Sequence, residues 1–590
     1  MVELRRMVSL GIPDVALGLV LGFIDDPRDR AAISLVCRAW HRADALSRQH
    51  VTIAMSYAAG PARLARRFPS LVSLKIKSKP RAAMFNLIPH DWGGAAAPWI
   101  AHIAAPTPPS FSFSFSFDLL RSLHLRRMVV TDSDLSLLLA AKAPILLSLK
   151  LDRCDGFSTH SLSLIASSCR RLETLFLEDS AIEEKGTEWL HELAVNNTTL
   201  VTLNFYLTEL SFSSADLELL ARNCRSLTTL KISERDISDL VGLFHAATAL
   251  QDFGGGSFDD EKGMAANDKY NNFYFHPSLQ SLSLMFMGTN EMHVIFPYAA
   301  TLKKLDLQYA LLSTEDHCQL IPRCPNLLVL AVREVVGDRG MEVVAQTCRQ
   351  LRRLRVERGE DDQGGVEDEQ GRVSQAGLIN IAHGCPDLEY LAVHVSDITN
   401  AALESIGTYC KNLFDFRLVL LDRDERITEL PLDNGVRALL RGCSNLGRFA
   451  LYLRPGGLSD TGLGYIGEHS KSIRYMLLGN VGESDRGLML FAGGCPNLQK
   501  LELRSCCFSE RALALAVMRL PSLRYIWVQG YKATPDGSDL SFMVRPFWNI
   551  EIIPPGSEPD SDSQAQILAY YSLVGKRTDL PSYIRCIPPS

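Results

Sequence analysis

Residues 341–356 read MEVVAQTCRQLRRLRV and contain one complete unit of a pattern that recurs along the chain. Met341 and Val344 precede Cys348 by seven and four positions, a spacing that places apolar side chains on one face of a helix. After the cysteine, Leu354 and Val356 alternate with polar residues at the period of a β-strand. The stretch therefore predicts a helix that is followed by a short, half-buried strand.

The pattern C-x-x-L-x-x-[LF]-x-[LIV] accounts for eight of the 14 cysteines in the chain. They are Cys169, Cys224, Cys324, Cys348, Cys385, Cys410, Cys443 and Cys495. Clear successive units lie about 24 to 28 residues apart, which is the spacing of leucine-rich repeats. Because no C-x-x-C pair with zinc spacing occurs, we interpret these cysteines as buried structural thiols.

The repeats predict the architecture of the whole chain. About seventeen units, from Leu71 to Leu523, indicate an α/β leucine-rich-repeat solenoid over residues 56–555, with a horseshoe to near-ring shape and strands on the concave side. We expect a small all-α module at residues 1–55 and a C-terminal cap at residues 556–590. Interruptions near residues 79–117, which include FSFSFSF, and near residues 357–372, which are acidic, predict loops that carry function.

Composition and motifs exclude several classes of protein. A hydrophobic fraction of 46% indicates a globular chain, and a net charge of −6 argues against nucleic-acid binding. With no long apolar run and no signal-like N-terminus, we expect a soluble, intracellular protein with reduced cysteines. The motif GLGYIG, with Gly462, Gly464 and Gly467, falls on the helical part of a repeat, so we interpret it as a coincidence. We find no other catalytic motif and expect no metal site.

Positions five, seven and nine after each cysteine alternate with the buried leucines and should line the concave face. These positions are rich in arginine, lysine and aromatic residues, although the chain is acidic: Lys75, Lys77, His124, Arg126, Arg353, Arg355, His394, Arg417, Arg448, Tyr452, Tyr475, Lys500, Arg504, Tyr525 and Trp527. Clustered cations repel one another unless an anion offsets them, so we predict an anion site with aromatic walls. The alternative is that the strands simply expose polar residues to solvent.

The N-terminal segment IPDVALGLVLGFIDDPRDRAAISLVCRAWHRAD combines a Pro-Asp start, helical spacing of apolar residues and the string SLVCRAW. This segment resembles an F-box, the helical module that docks a protein onto the Skp adaptor of a cullin–RING ubiquitin ligase. The resemblance implies that the following residues bind Skp: Ile12, Pro13, Val15, Phe23, Ile24, Pro27, Leu35, Val36 and Trp40. The alternative is a helical cap on the first repeat.

Longer strings, among them KPRAAMFNLIP, FRLVLLDRDERIT, GCPNLQKLEL, WVQGY and ILAYYSL, occur along nearly the whole chain. They resemble the coronatine-insensitive jasmonate receptors, plant F-box proteins related to the auxin receptors. The resemblance implies a non-catalytic, nuclear and possibly also cytoplasmic subunit of an SCF-type ubiquitin ligase. Such a subunit binds jasmonoyl-isoleucine or coronatine and captures JAZ transcriptional repressors for ubiquitination.

The resemblance also implies a set of ligand-binding residues. The hormone site would comprise Arg81, Ala82, Phe85, Leu87, Arg355, His394, Arg417, Val419, Tyr452, Leu477, Arg504 and Trp527. A structural inositol polyphosphate would bind Lys75, Lys77, Met84, Arg127, Tyr309, Arg353, Arg417 and Tyr475. Arginines and a tyrosine hydroxyl suit a carboxylate and an amide, while a denser set of cations suits several phosphates.

Two positions depart from the family. His394 stands where these receptors have tyrosine, and Tyr475 stands where they have tryptophan. We hypothesise that His394 changes which jasmonate the pocket accepts, against the alternative that it is a neutral lining residue. Two other functions stay open: an F-box adaptor that recognises its substrate without hormone, with only an inositol phosphate on the basic face, and a scaffold outside any ligase.

Overall fold

The computed structural model describes residues 14–24, 26–81, 88–106, 117–258, 269–270, 273–358, 372–420, 429–535, 537–555, 565–575 and 577–587. These residues form two compact units. The first comprises Met1–Pro80, Gly93–Ser226 and Val574–Asp579, and the second comprises Arg81–Trp92, Leu227–Leu573 and Leu580–Ser590. Each unit alternates helices with strands of a parallel sheet, which confirms the predicted α/β repeat architecture. No helix in the described ranges is long and apolar enough to cross a bilayer.

The first unit begins with three helices and continues with the first repeats. Its helices are α1 (Asp14–Gly22), α2 (Pro27–Ile33), α3 (Arg38–Ser47), α4 (Pro61–Arg67), α5 (Ala97–Ala104), α6 (Asp132–Lys142), α7 (Thr159–Ser168), α8 (Trp189–Asn196) and α9 (Ser214–Asn223). Its strands are β1 (His50–Ile53), β2 (Ser73–Lys77), β3 (Ser122–Arg126), β4 (Ser148–Asp152), β5 (Phe157–Ser158), β6 (Thr174–Phe176), β7 (Ile182–Glu183) and β8 (Thr202–Asn204). The parallel order is β1-β2-β3-β4-β6-β8, and β5 pairs with β7 separately.

The helices of the second unit are α10 (Val241–Ala246), α11 (Thr314–Leu320), α12 (Gly337–Thr347), α13 (Gln375–Gly384), α14 (Asn400–Tyr409), α15 (Asp433–Gly442), α16 (Asp460–His469), α17 (Asp485–Ala492) and α18 (Glu510–Arg519). Its parallel strands, each paired with the next, are β9 (Thr229–Asp236), β10 (Asp252–Ser257), β11 (Ser281–Met285), β12 (Lys304–Asp306), β13 (Val329–Arg333), β14 (Arg353–Glu357), β15 (Tyr390–Val395), β16 (Asp415–Leu420), β17 (Arg448–Tyr452), β18 (Tyr475–Gly479), β19 (Lys500–Arg504) and β20 (Tyr525–Gln529).

Three antiparallel strands follow the last parallel strand. They are β21 (Trp548–Ile553), β22 (Ile567–Ser572) and β23 (Arg585–Ile587). β22 pairs with both β20 and β21, and β21 pairs with β23. β22 and β23 lie in the segment predicted as a cap, whereas β21 precedes it. These strands supply hydrogen-bonding partners that the outer edge of β20 would otherwise lack.

The parallel register stacks equivalent repeat positions on top of one another. Leu354 pairs with Leu391, Leu391 with Phe416 and Phe416 with Phe449, and each of these side chains is 0–1% exposed. Full burial of one such side chain contributes about 1.5–3 kcal/mol before entropy is counted. The repeats therefore share a continuous apolar layer, because each strand repeats the same alternation.

The cysteines of the repeat close the helices. In Cys385, the backbone N–H donates to Ile381 at 2.9 Å and the thiol donates to the carbonyl of Cys348 in the preceding repeat at 3.5 Å. The thiol of Cys443 contacts the Cys410 carbonyl in the same way at 3.3 Å. Burial raises the pKa of the Cys385 thiol to about 12. All eight pattern cysteines are buried and unbridged, which confirms that they are structural thiols.

A second regular contact joins successive helices at their N-termini. Asp338 accepts hydrogen bonds from the backbone N–H of Ser374 at 2.7 Å and from its hydroxyl at 2.5 Å. Asp485 binds Ser509 in the same way at 2.8 and 2.6 Å. The serine is the N-cap of the next helix, so each pair satisfies backbone donors that a helix terminus leaves open. The sequence analysis did not identify this contact.

The GLGYIG motif lies on α16, as predicted. A Cβ atom on Gly467 would stand 2.8 Å from the carbonyl oxygen of Leu490 on the neighbouring helix, so the glycine permits close helix packing. The helix begins at Asp460, so all three glycines lie inside it and not on a turn between a strand and a helix. The predicted place of the motif, on the helical part of a repeat, is confirmed.

Candidate ligand site on the strand face of the second unit

The strands of the second unit bring most of the predicted hormone residues into two adjacent rows. We call the side of the sheet that carries positions five, seven and nine after each cysteine the open strand face. Position seven gives the register row Arg355, Ala392, Arg417, Ala450, Leu477, Glu502 and Trp527. Position nine gives the row His394, Val419, Tyr452, Gly479, Arg504 and Gln529.

Position five forms the third row, which consists of Arg353, Tyr390, Asp415, Arg448, Tyr475, Lys500 and Tyr525. This row carries Arg353 and Tyr475, two of the residues predicted for an inositol polyphosphate. The guanidinium of Arg353 stacks 4.4 Å from the ring centre of Tyr390, and Arg417 lies 5.4 Å from the same ring. An arginine held against an aromatic ring in this way keeps its N–H groups directed to a planar anion.

Arg417 lies at the centre of the three rows. Its Nε and one terminal nitrogen donate to the two carboxylate oxygens of Asp415, each at 2.9 Å, and Asp415 also pairs with Arg448 at 3.4 Å. Burial acts to lower the pKa of Arg417, but the hydrogen bonds and charge of Asp415 outweigh it and raise the pKa. The bidentate pair leaves the remaining guanidinium N–H groups available to a ligand.

Arg81 reaches the same region from outside the strands. Burial lowers the pKa of its guanidinium, and the positive charge of Arg417 lowers it further. Close by, burial and the charge of Glu502 raise the pKa of the Tyr475 hydroxyl. This hydroxyl has no hydrogen-bond partner among the described residues. Two confined arginines beside an unpaired hydroxyl form a site that an anionic ligand would stabilise.

The position of the Tyr452 ring depends on a glycine. In the neighbouring strand, a Cβ atom on Gly479 would lie 2.1 Å from Cδ2 of Tyr452. The ring therefore lies directly over the backbone of β18, in space that any other side chain would occupy. Because Tyr452 is predicted to bind the hormone, Gly479 is part of the support of the site, and the sequence analysis did not identify it.

Arg355 and His394 share one carboxylate. Arg355 pairs with Glu357, and its guanidinium also lies 3.5 Å from the side-chain oxygen of Gln308. Nδ1 of His394 lies 3.1 Å from the carbonyl of Val356 and 3.5 Å from the carboxylate of Glu357. The imidazole is thus held by two groups of the preceding strand, in the row that also contains Tyr452.

The remaining hormone residues differ in exposure. Val419 and Leu477 are half-buried apolar side chains, and Arg504 is half-buried beside Glu502, at 4.0 Å. Trp527 is only 1% exposed; its ring contacts Trp92 edge-on with centroids 6.1 Å apart. Ala82, Met84, Phe85 and Leu87 lie outside the described residues.

The predicted description of this face as strongly basic needs a correction. Asp415, Glu502 and Glu357 occupy positions five, seven and nine of their repeats, and each pairs with an arginine. The rule that selected the arginines selects these carboxylates equally, because it depends on strand position and not on charge. The face therefore contains ion pairs fixed within the protein as well as the predicted cations.

Other residues predicted for the polyphosphate lie in the first unit. Lys75 and Lys77 are on β2, and Nε of Arg127 donates to the carbonyl of Lys79 at 2.8 Å. Burial lowers the pKa of Lys75, and the charge of Arg126 lowers it further. Tyr309 belongs to the second unit, where its carbonyl accepts from Phe286 at 2.7 Å.

The three N-terminal helices form a small core with an apolar outer surface. Leu17, Leu21, Ile33 and Ala43 are buried together, and Ile24 and Trp40 pack against them. In contrast, Phe23, Leu35 and Val36 are 86%, 84% and 61% exposed. Exposed large apolar side chains of this kind indicate an interaction surface. Ile12 and Pro13, and the side chains of Val15 and Pro27, lie outside the described structure.

Sequence comparisons match both parts of the chain. A family described as F-box matches residues 9–50, and one described as Transport inhibitor response 1 protein domain matches residues 69–109. The chain is 66% identical to Coronatine-insensitive protein homolog 2 of Oryza sativa subsp. indica, over 100% of this chain and 98% of that protein. It is 57% identical to Coronatine-insensitive protein 1 of Arabidopsis thaliana, over 99% of this chain and 98% of that protein.

Proposed function

Because this chain belongs to the coronatine-insensitive family of F-box proteins, we propose that it is a substrate-recognition subunit of an SCF-type ubiquitin ligase and a jasmonate receptor. In this proposal, jasmonoyl-isoleucine or coronatine binds on the open strand face and completes a surface that captures JAZ repressors. The chain itself performs no chemistry on the repressor. Its role is to hold the repressor near the catalytic subunits of the ligase.

One observation carries the ligand assignment, namely the confined pair Arg81 and Arg417, beside which the Tyr475 hydroxyl has no hydrogen-bond partner in the described part of the chain. A carboxylate that accepts from both guanidinium groups would relieve their mutual repulsion. The hydroxyl of Tyr452 would donate to the amide of the ligand, and Val419 and Leu477 would contact its apolar arms. These groups suit a ligand with one carboxylate, one amide and apolar ends.

We also propose that an inositol polyphosphate is a structural cofactor of the second unit. Arg353 and Arg417 on the shared ring of Tyr390 would bind its phosphates, and the Tyr475 hydroxyl would donate to a phosphate oxygen. Bound phosphate would supply negative charge to cations that otherwise repel one another. Lys75, Lys77, Arg127, Tyr309 and Met84 remain predicted contacts of this cofactor.

The adaptor would bind the exposed apolar surface of the N-terminal helices. Phe23, Leu35 and Val36 support this assignment, because their burial against a partner would remove a large apolar area from water. Ile24 and Trp40 would act indirectly, since they pack on the core that supports this surface. We propose a nuclear location, where the receptor would meet transcriptional repressors; imaging of a fluorescent fusion tests this.

The proposal is tested with the full chain, purified with its Skp partner, and an immobilised JAZ degron peptide. We expect capture that requires jasmonoyl-isoleucine and saturates with its concentration. Equal capture without hormone would support the second candidate, direct substrate recognition, and would contradict the receptor. Failure to co-purify with Skp would contradict the assignment to a ligase.

A further inference from the structure

A buried carboxylate in the C-terminal strands has no role in the proposed site so far. Glu551 on β21 is 0% exposed. Its Oε2 accepts from the indole N–H of Trp92 at 2.9 Å, and its Oε1 accepts from the Asn549 amide at 2.6 Å and from the Tyr571 hydroxyl. Burying a carboxylate is costly, and several donors of this kind are what offsets the cost.

Trp92 connects this carboxylate to a turn that follows Arg81 in the sequence. Its backbone N–H donates to Pro89 at 3.0 Å, and its ring is 0% exposed. The adjacent Asp91 accepts a hydrogen bond from the Tyr583 hydroxyl. β21 and the segment between β22 and β23 therefore hold residues 89–92 at two neighbouring points.

The same ring touches the wall of the candidate ligand site. Trp92 lies edge-on to Trp527 and to Tyr571, with both pairs of ring centroids 6.1 Å apart. Trp527 ends the register row that contains Arg417 and Leu477. A continuous path of direct contacts thus runs from Glu551 through Trp92 to a predicted ligand-binding residue.

We propose that Glu551 is a positioning residue for the ligand site: it fixes the Trp92 indole, and the indole fixes Trp527. This inference rests on the proposed function. An indole N–H bound to a fully buried carboxylate has one preferred orientation, and the edge-on contact transmits that orientation to the second ring. Loss of the hydrogen bond would loosen both rings and reduce ligand affinity without removing any ligand contact.

Two variants test the path, and a third separates it from general stability. Glu551→Gln removes the charge at nearly constant shape, and Trp92→Phe keeps a ring but removes the N–H donor. The control is Tyr570→Phe, on the same strand as Tyr571. It removes an equally buried hydrogen bond, from the Tyr570 hydroxyl to the Met543 carbonyl at 2.8 Å, which does not involve Trp92.

Each variant is prepared as the full chain with its Skp partner and examined in two ways. Hydrogen exchange without ligand reports on residues 88–92. A titration with jasmonoyl-isoleucine gives the concentration needed for half-maximal JAZ capture. We expect Glu551→Gln and Trp92→Phe to accelerate exchange at residues 88–92 and to raise that concentration about tenfold. We expect Tyr570→Phe to lower the Tm but to leave both readouts near wild type.

The outcomes separate this inference from the proposed function. Equal losses in all three variants would show a general structural role and overturn the positioning inference. If exchange at residues 88–92 is faster but the ligand concentration for half-maximal capture is unchanged, Glu551 does not act on the ligand site. If exchange is unchanged, Glu551 does not fix Trp92. If the wild type captures no JAZ peptide in the presence of hormone, the receptor proposal fails, and so does the expected effect of Glu551 on ligand affinity. Hydrogen exchange still decides whether Glu551 fixes residues 88–92. In a variant that carries both Glu551→Gln and Trp92→Phe, additive effects on the ligand concentration for half-maximal capture would also contradict a shared path.

Discussion

The two sides of the same repeats obey different rules. On the helix side, the contacts recur from repeat to repeat: a cysteine thiol meets the carbonyl of the preceding cysteine, and an aspartate meets the next N-cap serine. On the open strand face, equivalent positions carry arginine, aspartate, tyrosine, glycine and tryptophan in turn. The first side is periodic, and the second is not.

This difference separates stability from recognition. Periodic contacts give the polar groups of the array hydrogen-bond partners within the protein, so they stabilise the array without a ligand. The open strand face contains ion pairs that are fixed within the protein and, beside them, the Tyr475 hydroxyl, for which no described residue is a hydrogen-bond partner. In the proposed function, a ligand is recognised where the periodicity ends, because side chains there form an arrangement that does not repeat.

The largest expected effect is the loss of ligand binding in Arg417→Gln. Removing a half-buried guanidinium that would meet the ligand carboxylate should weaken hormone-dependent JAZ capture by about 30- to 1,000-fold, measured by titration of jasmonoyl-isoleucine. Arg448→Gln is the matched control, since Arg448 is exposed and pairs with the same Asp415. We expect it to stay near wild type. Equal losses of capture in both variants would mean that Arg417 acts by pairing with Asp415 and not by binding the ligand.

Leu418, the next residue on the same strand, should affect stability and not ligand binding. Leu418 is 0% exposed, and Leu418→Ala should cost about 2–5 kcal/mol in the free energy of unfolding, measured by denaturant titration. The ligand concentration for half-maximal capture should not change for the folded fraction. A clear rise in that concentration would show that the two sides of the sheet are not separable.

Two glycines test the same contrast at a smaller scale. Gly479→Ala should displace the Tyr452 ring and weaken ligand-dependent capture about tenfold, because the added Cβ overlaps the ring. Gly464→Ala is the control on a helix, where the nearest atom to the added Cβ is 3.6 Å away. It should leave capture unchanged and keep or raise Tm, since alanine favours a helix. Normal capture by Gly479→Ala would contradict the role of Tyr452.

His394→Tyr should change preference more than affinity. His394 lies in the row of Tyr452, so a larger phenol should alter the space beside the ligand. We expect the ranking of jasmonates that differ in side-chain bulk to shift a few-fold in JAZ pull-down. Identical preferences in wild type and variant would show that His394 is only a lining residue.

The smallest effect concerns a helix-side aspartate. Burial acts to raise the pKa of Asp460, but donors from Ser484 and Glu483 outweigh it and lower the pKa. A lowered pKa adds stability above the unfolded value of about 3.9, and this stability is lost as the pH falls through the folded value. Asp460→Asn should therefore lower Tm slightly at pH 7 and converge with wild type in acid. A constant difference across pH would contradict the charge-dependent contact.

The sequence was a reliable guide wherever a contact is local. Cys348 and the leucines that follow it predicted a helix end and a strand, and both are present. The Asp338–Ser374 pair could have been found from the aspartate that precedes several N-cap serines by one repeat. The carboxylates of the open strand face could have been found by reading every residue type at the selected positions.

What the sequence determined by itself is the repeat, its buried thiols and the row to which each candidate ligand residue on a strand belongs, because the alternation of a strand is a local property. The tertiary structure decided which groups meet. Arg448 of the next strand pairs with Asp415, Tyr452 lies over Gly479, and Glu551 holds Trp92 from 459 residues away. Those contacts depend on strand register and on where the chain returns, and no local periodicity encodes them.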